Sequence, residues 1–533
     1  MAGLRFRTDY SVFKESDSAV LAEQVSDYLP VSERLVSCLW YTQTYLKNLH
    51  AADGRVVKVV SPGIWNLEAG PDFIQAALEF EGDEVAKGDV EIHVRSSDWE
   101  GHLHHRDARF DNVVGHVCMW RDADELFVTT SSGKKVPQLE LSKHLTRPLG
   151  KIVGQIETED FPYSRKAGLG RCAELLATLS KGRVSTLLSI AGEWRILEKA
   201  ARYAEWLAET GCDETLYKGF MEALGYPNNK EAFLVLAERI PLDVLRREAG
   251  ERSGSLSHYA TQSILMHVSG LFPGEEKPGW DEETTGFFSF MKSLWRDFAE
   301  RTTYFPMDPE KWNLRVRPLN SPLRRIAAAS QWVHRHRSQS VFSTMVRIFR
   351  ELKETGTEFA GDYERFRREL DFGRASRGKD DIRKRYLQAV ERLHALFRCE
   401  DDRYWSYRYV LGGEKFSRPI SLLGESRVRE VLVNVAMPIL LLHFRQSAED
   451  YESTLYLLYN FLPKLQENKV TRFMRHRLFA RQEREDLIKS AVAQQGLHQL
   501  FKDYCSKDRG GCLDCHFQGN LKQWLQRLGT QET

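Results

Sequence analysis

Up to about residue 142, apolar residues alternate with polar ones in short runs separated by glycine-containing turns. Beyond about residue 170 the apolar spacing becomes helical and stays so almost to the end. The chain opens on a stretch with Leu35, Leu39, Thr42 and Leu46 along one face, which predicts a helix over about Val31–His50 capped by Ser32. Strands are predicted at Arg55–Val60, Asp72–Phe80, Gly88–Val94, Asn112–Trp120, and Leu126–Thr130 with Gln138–Leu141. The turns between them read SPG, EGD and SSGK. This pattern predicts an α+β N-terminal domain with a small, mostly antiparallel sheet over residues 1–165. Residues 166–533 read as a large, mainly α-helical region, with helices such as Trp194–Glu209, Lys230–Glu238, Phe287–Arg301, Ser340–Thr355, Asp380–Phe397 and Tyr451–Leu465. Thr303–Asn313 and Gly373–Lys379 read as loops, and a break falls near Gly356–Asp362.

Composition narrows the class. A length of 533 residues suggests two to four domains. With 76 Lys+Arg against 75 Asp+Glu, a globally basic nucleic-acid coat and an acidic tail are both excluded, while a local basic face is not. The longest apolar stretch, Val431–Phe444, is broken by Asn434 and Pro438 and reads as a buried helix, so no membrane partner is expected. The N-terminus lacks the unbroken apolar run of a signal peptide, and a cytoplasmic location is expected. There, clustered cysteines suggest metal rather than crosslinks.

The densest cluster of reactive side chains lies in residues 70–116. On a strand over Gly88–Val94, Asp89, Glu91 and His93 share one face and Val90, Ile92 and Val94 the other. Carboxylates crowded this way repel unless a cation sits between them. Asp72 begins the preceding strand after Gly70-Pro71, and a hairpin would bring it toward Glu91. Glu33, at the start of the first helix, is either an additional acid for the site or a favourable charge at a helix N-terminus. His102 and His104 follow at a spacing of two, which on an extended segment lets both rings address one ion. Asp107 and Asp111 lie just beyond. His116 sits inside an apolar strand, where it is either a core residue or a ligand.

A second constellation is Cys505, Cys512 and Cys515, in YCSKDRGGCLDCHF, with Cys172 as the fourth thiolate of a structural metal site. Basic residues Arg315, Arg317, Arg324 and Arg325 in RVRPLNSPLRR have no acid among them and suit phosphate contacts. Arg335 and Arg337 follow, with Trp332 interleaved; Lys469, Arg472, Arg475, Arg477, Arg481 and Arg484 form another basic set. No P-loop, GxGxxG after a strand, G-x-S-x-G or HExxH motif appears, which argues against a nucleotide-driven motor, a dinucleotide enzyme, a serine hydrolase and a zincin.

Pro-Asp, a hairpin and Glu-x-His resemble the metal site of the PD-(D/E)xK nuclease superfamily, with His93 standing where that superfamily has Lys. The resemblance implies that Asp72 and Glu91 hold Mg²⁺ or Mn²⁺ and that His93 orients the attacking water, with Asp89, His102, His104 and His116 as further or alternative ligands. Some nucleases of that superfamily carry an Fe–S staple of one early and three late cysteines, so the thiolates here would hold an Fe–S cluster or Zn²⁺. In order along the chain, ERLVSCLWYTQTY, NLEAGPDF, GDVEIHVRSSDW, HLHHRDARFDNVVGHV, RCAELL, LGYPNNKEAF, RVRPLNSPLRRIAA, LGESRVREVLVNVAMPIL and the cysteine segment resemble the bacterial DUF2851 family, from about Glu33 to Phe517. The expected function is a metal-dependent phosphodiesterase acting on DNA or RNA. The rival readings are a non-catalytic nucleic-acid-binding or scaffold protein, and a metalloenzyme with a small-molecule substrate built on His102, His104, Asp107 and His116.

Overall fold

A computed structural model describes residues 5–15, 31–66, 70–81, 83–156, 171–251, 255–314, 316–354, 377–399, 402–446, 451–479, 486–505 and 515–531. Arg315, Arg481, Arg484, Cys512 and the break at Gly356–Asp362 lie outside them. The chain forms two compact units. One comprises residues 9–179, 468–485 and 497–533; the other comprises residues 1–8, 180–467 and 486–496.

The first unit is built on a sheet. After α1 (Asp9–Glu15), helix α2 (Glu33–Thr42) starts at Ser32, whose side chain accepts the Leu35 N–H. It ends a residue before Gln43, which adopts a left-handed conformation (φ 57°), instead of running to His50. The following residues make bridges to the sheet instead, Leu46 with Leu145, His50 with Val56 and Ala51 with Leu139. Seven strands follow: β1 (Val57–Ser61), β2 (Ile64–Trp65), β3 (Phe73–Phe80), β4 (Ala86–Arg95), β5 (Val113–Trp120), β6 (Phe127–Thr129) and β7 (Lys135–Glu140). Their order is β1-β3-β4-β5-β7-β6, with β2 also on β3.

The sheet is mixed, which corrects the expectation of a mostly antiparallel one. β1, β2 and β4 pair antiparallel with β3, and β6 with β7, but β4–β5 and β5–β7 are parallel. The connection from β4 to β5, residues 96–112, carries the chain back to the starting end, as a parallel crossover must. It does so with a helical turn at Asp98–Gly101 and two 3₁₀ turns at His104–Arg106 and Ala108–Phe110. One face of the sheet packs Val90, Ile92, Val117, Met119 and Leu139 against Leu35, Val36, Leu39 and Trp40 of α2. A smaller apolar cluster of Trp99, Phe110, Val113, Val128 and Val136 is separate from that core. Helix α3 (Arg171–Thr178) and the helices Lys469–Leu478 and Phe517–Gln531 complete this unit.

The second unit is helical around one extended core that includes Phe220, Trp332, Trp405, Leu440 and Tyr456. Its helical span Lys181–Leu224 is broken at Gly211, whose φ of 77° no helical residue adopts, just beyond the predicted end at Glu209. Thr303–Asn313 is a loop apart from a 3₁₀ turn at Pro309–Lys311. Among the described residues, no helix is long and apolar enough to cross a membrane.

Candidate metal centre

The register of β3 on β4 creates the site. Phe73, the first residue of β3, lies opposite Val90, and β4 runs on to Arg95 without a β3 partner. Asp72 fills the vacated edge. Its carboxylate accepts the Ile92 N–H at 2.9 Å, and its own N–H donates to Glu91 Oε2 at 3.0 Å. That contact leaves Glu91 Oε1 beside two imidazoles, 3.2 Å from His104 Nε2 and 3.7 Å from His93 Nε2. His102 Nδ1 lies 3.1 Å from His93 Nε2, and Glu33 Oε1 reaches to 4.0 Å of the same nitrogen from the first turn of α2. One ligand nitrogen from each of His93, His102 and His104 falls within 4.8 Å of the others. Ligand atoms about 2.0–2.1 Å from one ion, at tetrahedral or octahedral angles, stand about 2.8–3.4 Å apart. The His93–His102 and His104–Glu91 spacings fall in that range, and the others are wider.

Glu91 and His93 are buried, His104 nearly so, and His102 is exposed, so the cluster opens to solvent at His102. Trp99 and Phe110 wall it: the His104 ring lies 3.9 Å from Phe110 and 5.4 Å from Trp99, between centroids. The two loop histidines converge for a reason the sequence does not display. Leu103 between them is left-handed (φ 61°), so the His-x-His pair is presented by a tight reversal and not by the extended segment expected.

Across the sheet, Glu91, His116 and Gln138 occupy one row of parallel cross-strand partners. His116 Nε2 lies 2.8 Å from His93 Nδ1, and His116 Nδ1 3.1 Å from Gln138 Oε1. His116 thus stands behind His93, with both nitrogens engaged. Burial pushes its pKa down to about 3, which keeps the ring neutral. Gln138 donates to the Glu125 carbonyl at 2.6 Å. Sequence reasoning placed Gln138 only in a strand; a glutamine carries no signal of such a role.

Other predicted site residues lie elsewhere. Asp89 accepts the Gln75 N–H at 3.1 Å and the Asn112 amide at 3.0 Å, pinning a bulge where Gln75 has φ 58°. Asp107 caps the turn Ala108–Phe110 and pairs with Arg109, whose hydrogen bonds hold its carboxyl down at about 2. Asp111 accepts from Ser131 and Ser132. Cys172, Cys505 and Cys515 line one cavity of about 20 Å³, with Met474, Leu478 and Tyr504 in its wall, but among the described residues their sulfurs do not form a group at metal-ligand distance.

Of the basic run, Arg317 is exposed. Arg324 and Arg325 are not placed for phosphate: both are buried. Arg324 donates to the carbonyls of Trp405, Ile420 and Ser421, and Arg325 to Leu422 O and Asn320 Oδ1. Burial lowers the Arg325 pKa to about 10. Trp332 is buried as well, while Arg335 and Arg337 are exposed and donate to the carbonyls of Arg398 and His334.

Fold and site together define a mixed-sheet unit with a cluster of imidazoles and carboxylates at a strand edge, and a separate helical unit. The chain belongs to the DUF2851 family: the model described as "Protein of unknown function (DUF2851)" matches residues 33–469. No curated protein and no solved structure matches it.

Proposed function

We propose that this protein is a metal-dependent phosphodiesterase acting on nucleic acid, with its centre at Glu91, His93, His102 and His104. The observation that carries the reading is the convergence of Glu91 Oε1 on His104 Nε2 at 3.2 Å and His93 Nε2 at 3.7 Å, beside Asp72 at the mouth of a hairpin. An acid at a strand start, Glu-x-His on the next strand and a glutamate on the preceding helix resemble the PD-(D/E)xK arrangement, with His93 in the Lys position. When bound, a divalent ion such as Mg²⁺ or Mn²⁺ supplies Lewis acidity toward a phosphoryl oxygen and an attacking water. Asp72 holds Glu91 in place through its N–H, Glu91 and the imidazoles hold the ion, and exposed His102 marks where substrate enters.

Labelled DNA and RNA, each with Mg²⁺ or Mn²⁺, test the proposal. Glu91→Ala should abolish cleavage, and Asp72→Ala, which keeps the backbone N–H to Glu91 but loses the carboxylate that accepts the Ile92 N–H, should lower it, while the circular dichroism spectrum stays unchanged in both. Full activity in both variants rules the mechanism out.

The imidazole-rich donor set favours one second reading, a metalloenzyme acting on a small molecule. It predicts stoichiometric metal without nucleic-acid cleavage. For the thiolates, we propose a Zn²⁺ ion or an Fe–S cluster at Cys172, Cys505, Cys512 and Cys515. Anaerobic purification followed by a visible spectrum distinguishes them: a brown protein indicates Fe–S and a colourless, zinc-containing one indicates Zn²⁺.

A further inference from the structure

The hydrogen-bond order behind His93 bears on which ion the centre takes. The Glu125 carbonyl accepts from Gln138 Nε2 at 2.6 Å, which fixes the amide and turns Oε1 toward His116 Nδ1 at 3.1 Å. A carbonyl oxygen there requires the proton of His116 on Nδ1. With its proton on Nδ1, the buried ring presents Nε2 as an acceptor, and that nitrogen faces His93 Nδ1 at 2.8 Å. His93 therefore carries its proton on Nδ1. Its Nε2 is a bare lone pair, aimed at the spot shared with Glu91 Oε1 at 3.7 Å and His102 Nδ1 at 3.1 Å. The order runs from a backbone carbonyl, through an amide and an imidazole, to the ligand nitrogen, and each member has one role available.

We infer that Gln138 and His116 are positioning residues that hold His93 as a nitrogen ligand, and that the centre takes a first-row transition ion such as Mn²⁺, Fe²⁺, Co²⁺ or Zn²⁺ in preference to Mg²⁺. Mg²⁺ favours oxygen ligands in near-octahedral geometry and keeps several waters, whereas neutral imidazole suits the transition ions. Three clustered imidazoles, two of them beside the Glu91 carboxylate, form the second kind of site. An outer residue that fixes the ring of a metal-bound histidine typically contributes 10–100-fold in affinity. This rests on the metal-site part of the proposed function and is independent of phosphodiester hydrolysis.

The test is titration of the full chain with Co²⁺, followed by its visible ligand-field absorption and by calorimetry. Wild type should bind one Co²⁺ per chain at this centre and retain it in a large excess of Mg²⁺. Gln138→Met, close in size but with no amide, should weaken Co²⁺ binding by roughly 10–100-fold and shift the spectrum. Gln138→Glu keeps an acceptor for His116 Nδ1 but loses the donor to the Glu125 carbonyl, so its Co²⁺ affinity should fall between those of Gln138→Met and wild type. Displacement of Co²⁺ by equimolar Mg²⁺ overturns the ion preference. Wild-type affinity and spectrum in Gln138→Met overturn the positioning role. Should Gln138→Met fail to fold, the Mg²⁺ competition on wild type still decides the first claim, and Gln138→Glu decides the second: wild-type Co²⁺ affinity and spectrum in it count against the positioning role. No Co²⁺ binding by wild type sinks both claims and the metal centre with them. Tight Co²⁺ binding without nucleic-acid cleavage sinks only the hydrolytic reading.

Discussion

Replacing Arg324 with alanine separates two uses of an arginine-rich segment. Arg324 is fully buried, and its guanidinium makes four hydrogen bonds: Nε to Trp405 O at 3.1 Å, Nη1 to Ser421 O at 3.2 Å, and Nη2 to Ile420 O at 2.7 Å and to Ser421 O at 3.1 Å. A hydrogen bond involving a charged group contributes about 1.5–3 kcal/mol net. The four share one group and are not additive, and removing the charge also removes its desolvation cost. The remaining loss comes from the buried Trp405 carbonyl and the more accessible Ile420 and Ser421 carbonyls losing this donor, and Arg324→Ala should cost about 2–4 kcal/mol. Urea unfolding reads the loss as a lower midpoint, and hydrogen exchange should quicken in residues 402–424, the segment these bonds hold. A phosphate-binding arginine predicts the opposite pattern: an unchanged midpoint with weaker, less salt-dependent oligonucleotide binding. That pattern would refute the structural role.

Two further predictions concern the helical unit. Gly192 lies where an added Cβ would stand 2.0 Å from the Val492 carbonyl oxygen, so Gly192→Ala must push backbone from backbone. A loss of about 1–3 kcal/mol in urea unfolding is expected, and an unchanged midpoint would mean that these helices do not meet there. His267 stacks on Trp295 at 4.9 Å with Lys292 as a charged neighbour, and burial lowers its pKa to about 4. The unfolded chain therefore takes up this proton first as pH falls. Stability present above about pH 6.5 drains away as pH drops toward about 4, by up to about 3 kcal/mol. Comparing urea midpoints across that window in wild type and His267→Phe should show a shallower acid slope in the variant; equal slopes would exclude His267 as the cause.

Much of the fold was legible because periodicity reports burial. The alternation over Gly88–Val94 correctly separates Val90 and Ile92 from Glu91 and His93, since a strand has only two faces. Strand direction was not legible. Nothing in the composition of residues 96–112 distinguishes a hairpin from a crossover, because this crossover uses short turns where a parallel connection more often has a full helix. The helix over Val31–His50 was overextended for a similar reason: apolar spacing persists past Thr42, but Leu46 and Leu49 serve the sheet core. Arginine shows the limit most clearly. RVRPLNSPLRR reads as a cationic surface, yet pairing with backbone carbonyls leaves no acidic partner in the sequence to betray that Arg324 and Arg325 are buried.

The chemistry of the site was legible as residue types and hidden as geometry. Asp89, Glu91 and His93 alternate identically, but only the last two join the cluster, because the bulge at Gln75 takes the Asp89 carboxylate for its own N–H. His102 and His104 join it because Leu103 accepts a left-handed conformation that leucine rarely adopts, at a cost of about 1–2 kcal/mol. Strain of this kind persists only where surrounding contacts over-determine it, and here those contacts are the Phe110 and Trp99 rings packed on His104. A loop with no ligand to present has no reason to retain that strain, since glycine at position 103 would relieve it and keep the turn. The strained residue, the buried relay behind His93 and the vacated edge of β4 come from three separate parts of the sequence, and they converge on the same nitrogen and oxygen atoms. That convergence, more than any one acidic residue, is the ground for the ion site proposed above.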